Sequence, residues 1–231
     1  MTTQDHRSRV AAEKRERMRM RLIESALHVF ATKGVEASVI EDVIEAAGVS
    51  RGTFYNYYKT NEELLVAVLQ ATSNEVFGQV EIALAYRADP AERLACALRM
   101  VLYVTQRYRH LARFISRVGL AAMMKGSLAM VYMPRDLMGG MEAGRFTIAN
   151  PLVGIDLVVG TTQSAIFTLS THQGLALTYP DEVVHHILLG LGMSAAKARR
   201  LSSVPIEPVV LPPESLLART ANIPVSQAPS A

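Results

Sequence analysis

Between Ser50 and Lys59 the chain reads Ser-Arg-Gly-Thr-Phe-Tyr-Asn-Tyr-Tyr-Lys, a run dense in hydroxyl, amide, guanidinium and ammonium groups. Donors of this kind suit a polyanion, because they reach phosphate oxygens and the edges of bases. The candidate DNA contacts are Ser50, Arg51, Gly52, Thr53, Tyr55, Asn56, Tyr57, Tyr58 and Lys59, with Ser38 a helix earlier. A helix N-terminus that carries a glycine, a hydroxyl and a guanidinium can approach a phosphate or a base closely. Phe54 and Tyr58, taken by themselves, read as core packing before ligand contact.

Other chemistries find few residues to work with. The sequence has no Gly-rich phosphate loop, nucleophile elbow, HExxH or CxxC, and its single cysteine, Cys96, sits in an apolar helical stretch where a thiol is inert. His185 and His186 are adjacent, so on a helix they point in different directions and form no one-face chelate. No catalytic residue, metal or cofactor is expected.

The donors need elements to aim them. Val39, Val43, Ile44, Ala46 and Ala47 form an apolar stripe on a short helix for which Ser38 is the N-cap, and Gly48 is its C′ residue. Val49 then turns inward, and Ser50 caps a second helix opening on Arg51, Gly52 and Thr53. Two short helices about a glycine turn make a helix-turn-helix. Thr60 and Glu63 form a capping box that starts a linking helix, which includes Asn61.

The stretch AAGVSRGTFYNYYKTNEELL resembles the N-terminal DNA-binding motif of the TetR family of transcriptional regulators. The likeness is close over roughly residues 15 to 70 and architectural after that. It implies an all-α, homodimeric repressor that leaves its operator when a small-molecule effector enters the C-terminal domain, although some members activate. It places Arg51, Thr53, Tyr55 and Tyr57 in or beside the major groove, with Tyr58 and Lys59 near the DNA backbone. Where the family often has a lysine at the start of the fourth helix this chain has Asn61, and where many members have a basic residue in the second helix it has Glu41. No phosphate contact is carried over to either position.

The chain has 231 residues, half of them hydrophobic, enough for one small and one medium domain. Its net charge of +3 is mild, but from Arg7 to Arg21 seven basic residues stand against two acidic ones. Such an arm attracts phosphate, or is simply solvated. One cysteine allows no intramolecular disulfide and no secretory leader opens the sequence, so a reducing cytoplasm is expected. The least charged long stretch, 152–172, contains Asp156 and a run of Thr, Gln and Ser, which suits a buried or interface helix and not a membrane span.

Three parts are expected: residues 1–60 as the DNA-binding domain with its basic arm, 61–201 as a helical effector and dimerisation domain, and 202–231 as a disordered tail. Asp89-Pro90, Asn150-Pro151 and Pro180-Asp181 start helices, the last of them being the final helix. Pro134 and Gly139-Gly140 leave a short helix from about Arg135 to Ala143, and another runs from Tyr108 to about Met124. By resemblance, the helices after Asn150 and Pro180 build the dimer interface, with Gly154, Gly160, Ser164 and Ala165 as small residues. The alternative is that they complete a monomer core, but paired reading heads on a palindrome favour the dimer.

Candidate effector contacts are Tyr103, Arg107, His110, Arg113, Phe114, Met124, Phe167 and Thr171, with Tyr132 and His172 beside them. Methionines concentrated between Met100 and Met141 suit an adaptable apolar cavity, or a core that binds nothing. His110 and Arg113, three apart on a helix, could face one anion together or form a surface pair. The tail holds six of the ten prolines and no aromatic residue, yet Val209, Val210, Leu211, Leu216 and Leu217 are apolar enough to dock. Two rival readings are a helical small-molecule binder with a vestigial helix-turn-helix and an all-α enzyme.

Overall fold

The computed structural model describes residues 3–35, 39–118, 122–123, 125 and 127–221. Eleven α-helices and no strand occur among these residues. They are α1 (Thr3–Lys33), α2 (Ile40–Ala47), α3 (Arg51–Tyr55), α4 (Asn61–Ala83), α5 (Pro90–Arg107) and α6 (Arg109–Arg117), followed by α7 (Ala129–Glu142), α8 (Pro151–Thr171), α9 (Tyr179–Gly190), α10 (Ala195–Ser202) and α11 (Leu216–Ala221).

Local signals set most helix starts. Asp89 caps α5 by accepting from the Ala91 N–H at 3.2 Å, and Asn150 caps α8 by accepting from the Leu152 N–H at 2.9 Å. Each is followed by proline at the first helical position, where its missing N–H costs nothing. Thr60 accepts from the Glu63 N–H at 3.1 Å while the Glu63 carboxylate takes the Lys59 N–H at 2.7 Å, so the start of α4 is closed from both sides.

Two apolar cores result. The first joins α1, α2 and α3 to α4 and α6 through Leu22, Phe30, Val43, Phe54, Leu64 and Phe114, all buried. The second lies between α5, α7, α8, α9 and α10. Arg99 on α5 is nearly inaccessible and donates to Asp181 at 2.7 Å and to the Val204 carbonyl, which ties α5 to α9 and to the chain beyond α10.

Several expectations from the sequence are corrected. The interrupted stretch around Pro134 is one helix, α7, with Pro134 inside it. Burial of Met133 and Leu137 on either side outweighs the single backbone bond that proline removes. Gly140 lies inside the same helix, and the Phe146 ring takes the place that a Cβ would fill, so no larger residue fits there. Helix α6 ends at Arg117 with Val118 extended, short of Met124, which lies outside the described residues. Helix α9 is not the last, since α10 and α11 follow it.

The tail expected to be disordered from 202 is ordered to Ala221. Leu211, Leu216 and Leu217 are buried in the first core, and the Glu75 carboxylate on α4 accepts the N–H groups of Leu216 at 2.6 Å and Leu217 at 2.9 Å. Arg219 pairs with Glu24 on α1, and Thr220 is hydrogen-bonded to His110 on α6. The segment is thus a strap across three helices. Proline-rich composition signals lost regular structure, but it does not weigh three apolar side chains and a helix N-terminus that find partners.

Candidate nucleic-acid interface and effector cavity

Helix α2 ends at Gly48 in the left-handed region (φ 59°, ψ 44°), with its N–H bonded to the Glu45 carbonyl. Val49 donates to the Ile44 carbonyl, which completes the turn. Ser50, extended at φ −79° and ψ 158°, accepts from the Thr53 N–H at 3.1 Å and caps α3 as expected. The residue flanking the start of α2 is Val39, which provides no side-chain cap. Ser38, expected in that role and as a DNA contact, lies outside the described residues.

The short α3 displays one face to solvent. Arg51, Gly52, Tyr55, Asn56 and Lys59 are exposed, Thr53 and Tyr57 are half-buried, and Phe54 is wholly enclosed as the anchor. Tyr58, expected near the DNA backbone, is instead a core residue at 6% exposure, 6.2 Å from the Phe54 ring. Its hydroxyl lies within electrostatic reach of the Arg19 guanidinium but outside hydrogen-bonding geometry, and burial pushes its pKa up.

The two unusual positions have definite partners. The Glu41 carboxylate accepts from Arg51 at 3.0 Å, which places an acidic group against the reading head's guanidinium. Asn61 donates to the Val35 carbonyl at 2.7 Å, which fixes the start of α4 to the loop after α1. Upstream, α1 is a continuous helix whose Lys14, Arg15, Arg17 and Arg21 have no ion-pair partner among the described residues. Arg9 and Arg19 pair with Glu13 and Glu16.

Away from the head, a cavity of about 120 Å³ lies between α4, α5, α6, α7 and α8. Its walls are mostly apolar, with Val76, Phe77, Leu98, Val101, Met130 and Ile166 prominent. Two buried polar side-chain atoms at its lining have no partner: Thr162 Oγ1 and Gln163 Oε1. The Gln163 amide donates to the Ile115 carbonyl at 3.0 Å, so its oxygen is left over. Glu81 and Asp136 also border the cavity, but Arg93 and Arg135 bind them both, at 2.8 and 3.4 Å and at 3.2 and 2.8 Å respectively. No free charge is left there for an ionic ligand.

Among the expected lining residues that the structure describes, Tyr132 alone borders this cavity, and Met124 lies outside the described residues. Phe114 is buried against Phe30 with ring centroids 6.0 Å apart. Tyr103 sits beside the Arg99–Asp181 pair, and Phe167 and Thr171 are exposed on α8. Arg107, His110 and Arg113 line a different hollow, between α1 and α6. Of the methionines, Met123, Met130 and Met133 face the cavity, whereas Met100 is core and Met138 is exposed. Of the residues missed, Thr162 and Gln163 had one visible signal, a Thr-Thr-Gln-Ser run inside an otherwise apolar helix, while Ser73 and Ser127 had none.

A helix-turn-helix head on an all-helical body with an internal chamber defines a DNA-binding regulator of the two-part, ligand-responsive class. Residues 22–68 match the model of "Bacterial regulatory proteins, tetR family", and residues 89–203 match that of the "Tetracyclin repressor-like, C-terminal domain". The solved structure of RolR in complex with resorcinol is 32% identical, with a TM-score of 0.68, over 86% of this chain and all of that one. The chain belongs to the TetR family of DNA-binding transcriptional regulators.

Curated relatives match mainly at the head. The transcriptional repressor KstR2 of Mycolicibacterium smegmatis is 28% identical over 89 residues, which is 38% of this chain and 43% of the relative. The fatty acid metabolism regulator protein of Bacillus subtilis is 28% identical over 79 residues, 34% of this chain and 41% of that protein. The chain therefore spans less than half the length of these relatives.

Proposed function

We propose that this regulator represses transcription as a homodimer on a pseudo-palindromic operator, and that a small neutral hydroxylated aromatic molecule releases it. The cavity carries this reading. Apolar walls, neutralised carboxylates and two orphaned oxygens call for a compact ring that bears hydroxyl donors. An apolar cavity of about 150 Å³ accepts benzene, so 120 Å³ suits one ring and not an extended acyl chain. RolR, similar over its whole length, was solved with resorcinol, a benzene ring with two hydroxyls.

Release follows from what the cavity touches. Leu111 and Ile115 of α6 line it, and Phe114, between them on the same turn, is stacked on Phe30 of α1. A ligand that prefers one setting of α6 shifts the population of head orientations by its differential affinity. Residues 1–60 act as the DNA-binding head, residues from 61 onward as the effector and dimer body, and the protein works in the cytoplasm, where its DNA is.

The test is fluorescence anisotropy with the DNA flanking this protein's own gene. Salt-dependent, sequence-preferring binding that resorcinol reverses is expected, and Gln163→Leu should weaken the resorcinol effect about tenfold, the worth of one hydrogen bond. Binding without sequence preference would sink the regulator reading. Specific binding that no small phenol reverses would sink only the effector.

A further inference from the structure

Between α1 and α6 lies a second hollow, of about 240 Å³, twice the volume of the effector cavity. Arg107, Arg109, His110 and Arg113 line one side, His28 and Thr32 of α1 the other, and Thr220 of the strap closes it. No carboxylate lines it among the described residues. Three guanidiniums and two imidazoles therefore meet without a compensating charge in a partly enclosed space.

Their existing bonds leave this charge unanswered. Arg109 donates to the carbonyls of Ser170 and His172, at 3.4 and 3.2 Å, and both acceptors are neutral. The Arg107 guanidinium lies 5.8 Å from the Tyr108 ring centroid, and neither it nor that of Arg113 has an ion-pair partner among the described residues. His110 is satisfied by Thr220 at 2.9 Å, and its pKa is lowered to about 4 by burial and then by His28 and Arg113, so it is neutral at pH 7. Like charges held together at a seam repel unless an anion is bound between them, and forked guanidiniums match the oxygens of phosphate and carboxylate.

We propose that this hollow is a binding site for a small soluble dianion of the phosphate or carboxylate kind, separate from the effector cavity. Arg107 and Arg113 hold the anionic oxygens, and His28 contributes from the side of the DNA-binding head. The hollow shares its seam with the Phe30–Phe114 stack and with the bond from Arg117 to the Phe30 carbonyl at 3.4 Å. A bound dianion therefore bridges head and body at their joint.

Isothermal titration of the full-length chain with inorganic phosphate, and separately with citrate, in a low-chloride buffer tests this. Saturable binding at one site per chain is expected. It should be at least tenfold weaker in Arg107→Ala and in Arg113→Ala, and unchanged in Arg200→Ala, which removes an exposed cation from α10. Tighter phosphate than citrate assigns a phosphorylated ligand, and the reverse order assigns a polycarboxylate. Non-saturable heats with both anions, or equal affinities in wild type and Arg107→Ala, overturn the proposal. Arg107 is exposed at the end of α5, so its variant decides the matter even if Arg113→Ala does not fold.

Discussion

Arg51 meets Glu41 before it meets any DNA. Both side chains are largely exposed, so the pair adds little to stability, and its weight falls on binding. Glu41→Gln frees the guanidinium and removes a negative charge from beside the reading head. Operator affinity in low salt should rise several-fold, with a steeper salt dependence, in an anisotropy titration. His110 bears on stability instead. Its folded pKa, about 4, lies below the 6.5 of the unfolded chain, so between these values the unfolded state binds more protons. The contribution is complete above pH 6.5 and is lost as pH falls toward 4. The melting temperature should therefore decline over that window, with a shallower decline in His110→Gln.

At the scale of elements, helix starts that depend on neighbours in sequence were readable. Asp89-Pro90 and Asn150-Pro151 each carry cap and first-turn proline within two residues, and the turn through Gly48 to Ser50 is equally local. Pro134 does not end its helix because a helix can absorb one proline when the flanking side chains are well buried, and burial is not a local signal. The strap is illegible in sequence for the same reason: Glu75 lies more than 140 residues from the N–H groups it accepts. The cavity was the least legible part. Helical spacing places Met130 or Thr162 on a face, but which face borders empty space depends on five helices at once. Removing residues 205–221 should expose the Leu64–Phe114 core beneath the strap and leave the Glu75 carboxylate without its two N–H partners. A loss of several kcal/mol is expected from the burial of three leucines, read as a lowered denaturation midpoint.

For the whole molecule, α8 carries an unfinished surface. Val153, Asp156, Gly160, Ser164, Phe167 and Thr171 recur every three or four residues and are all exposed, with Phe167 at 55%. Nothing stands within 4 Å of where a Gly160 Cβ would be, so another backbone could come close. Gly154 and Ala165, also expected on this face, are buried within the chain instead. By length and composition α8 could cross a membrane, yet Asp156 sits on this stripe. In the homodimer proposed above, a second copy packed about a two-fold axis covers this stripe and pairs two reading heads. Phe167→Glu places a carboxylate at the centre of that contact. Sedimentation should then report a monomer with an unchanged circular dichroism spectrum, and operator affinity should fall by at least an order of magnitude, since each head then binds a half-site alone.

The strap also has a place in time. Residues 211–221 are synthesised after every segment they pack against, from Glu24 and Glu75 to His110. At roughly 5–20 residues per second, the reading head and much of the body have left the ribosome seconds before the strap follows. A nascent chain thus passes through an interval in which its helix-turn-helix is complete and the strap's ties to Glu24, Glu75 and His110 are still to be made.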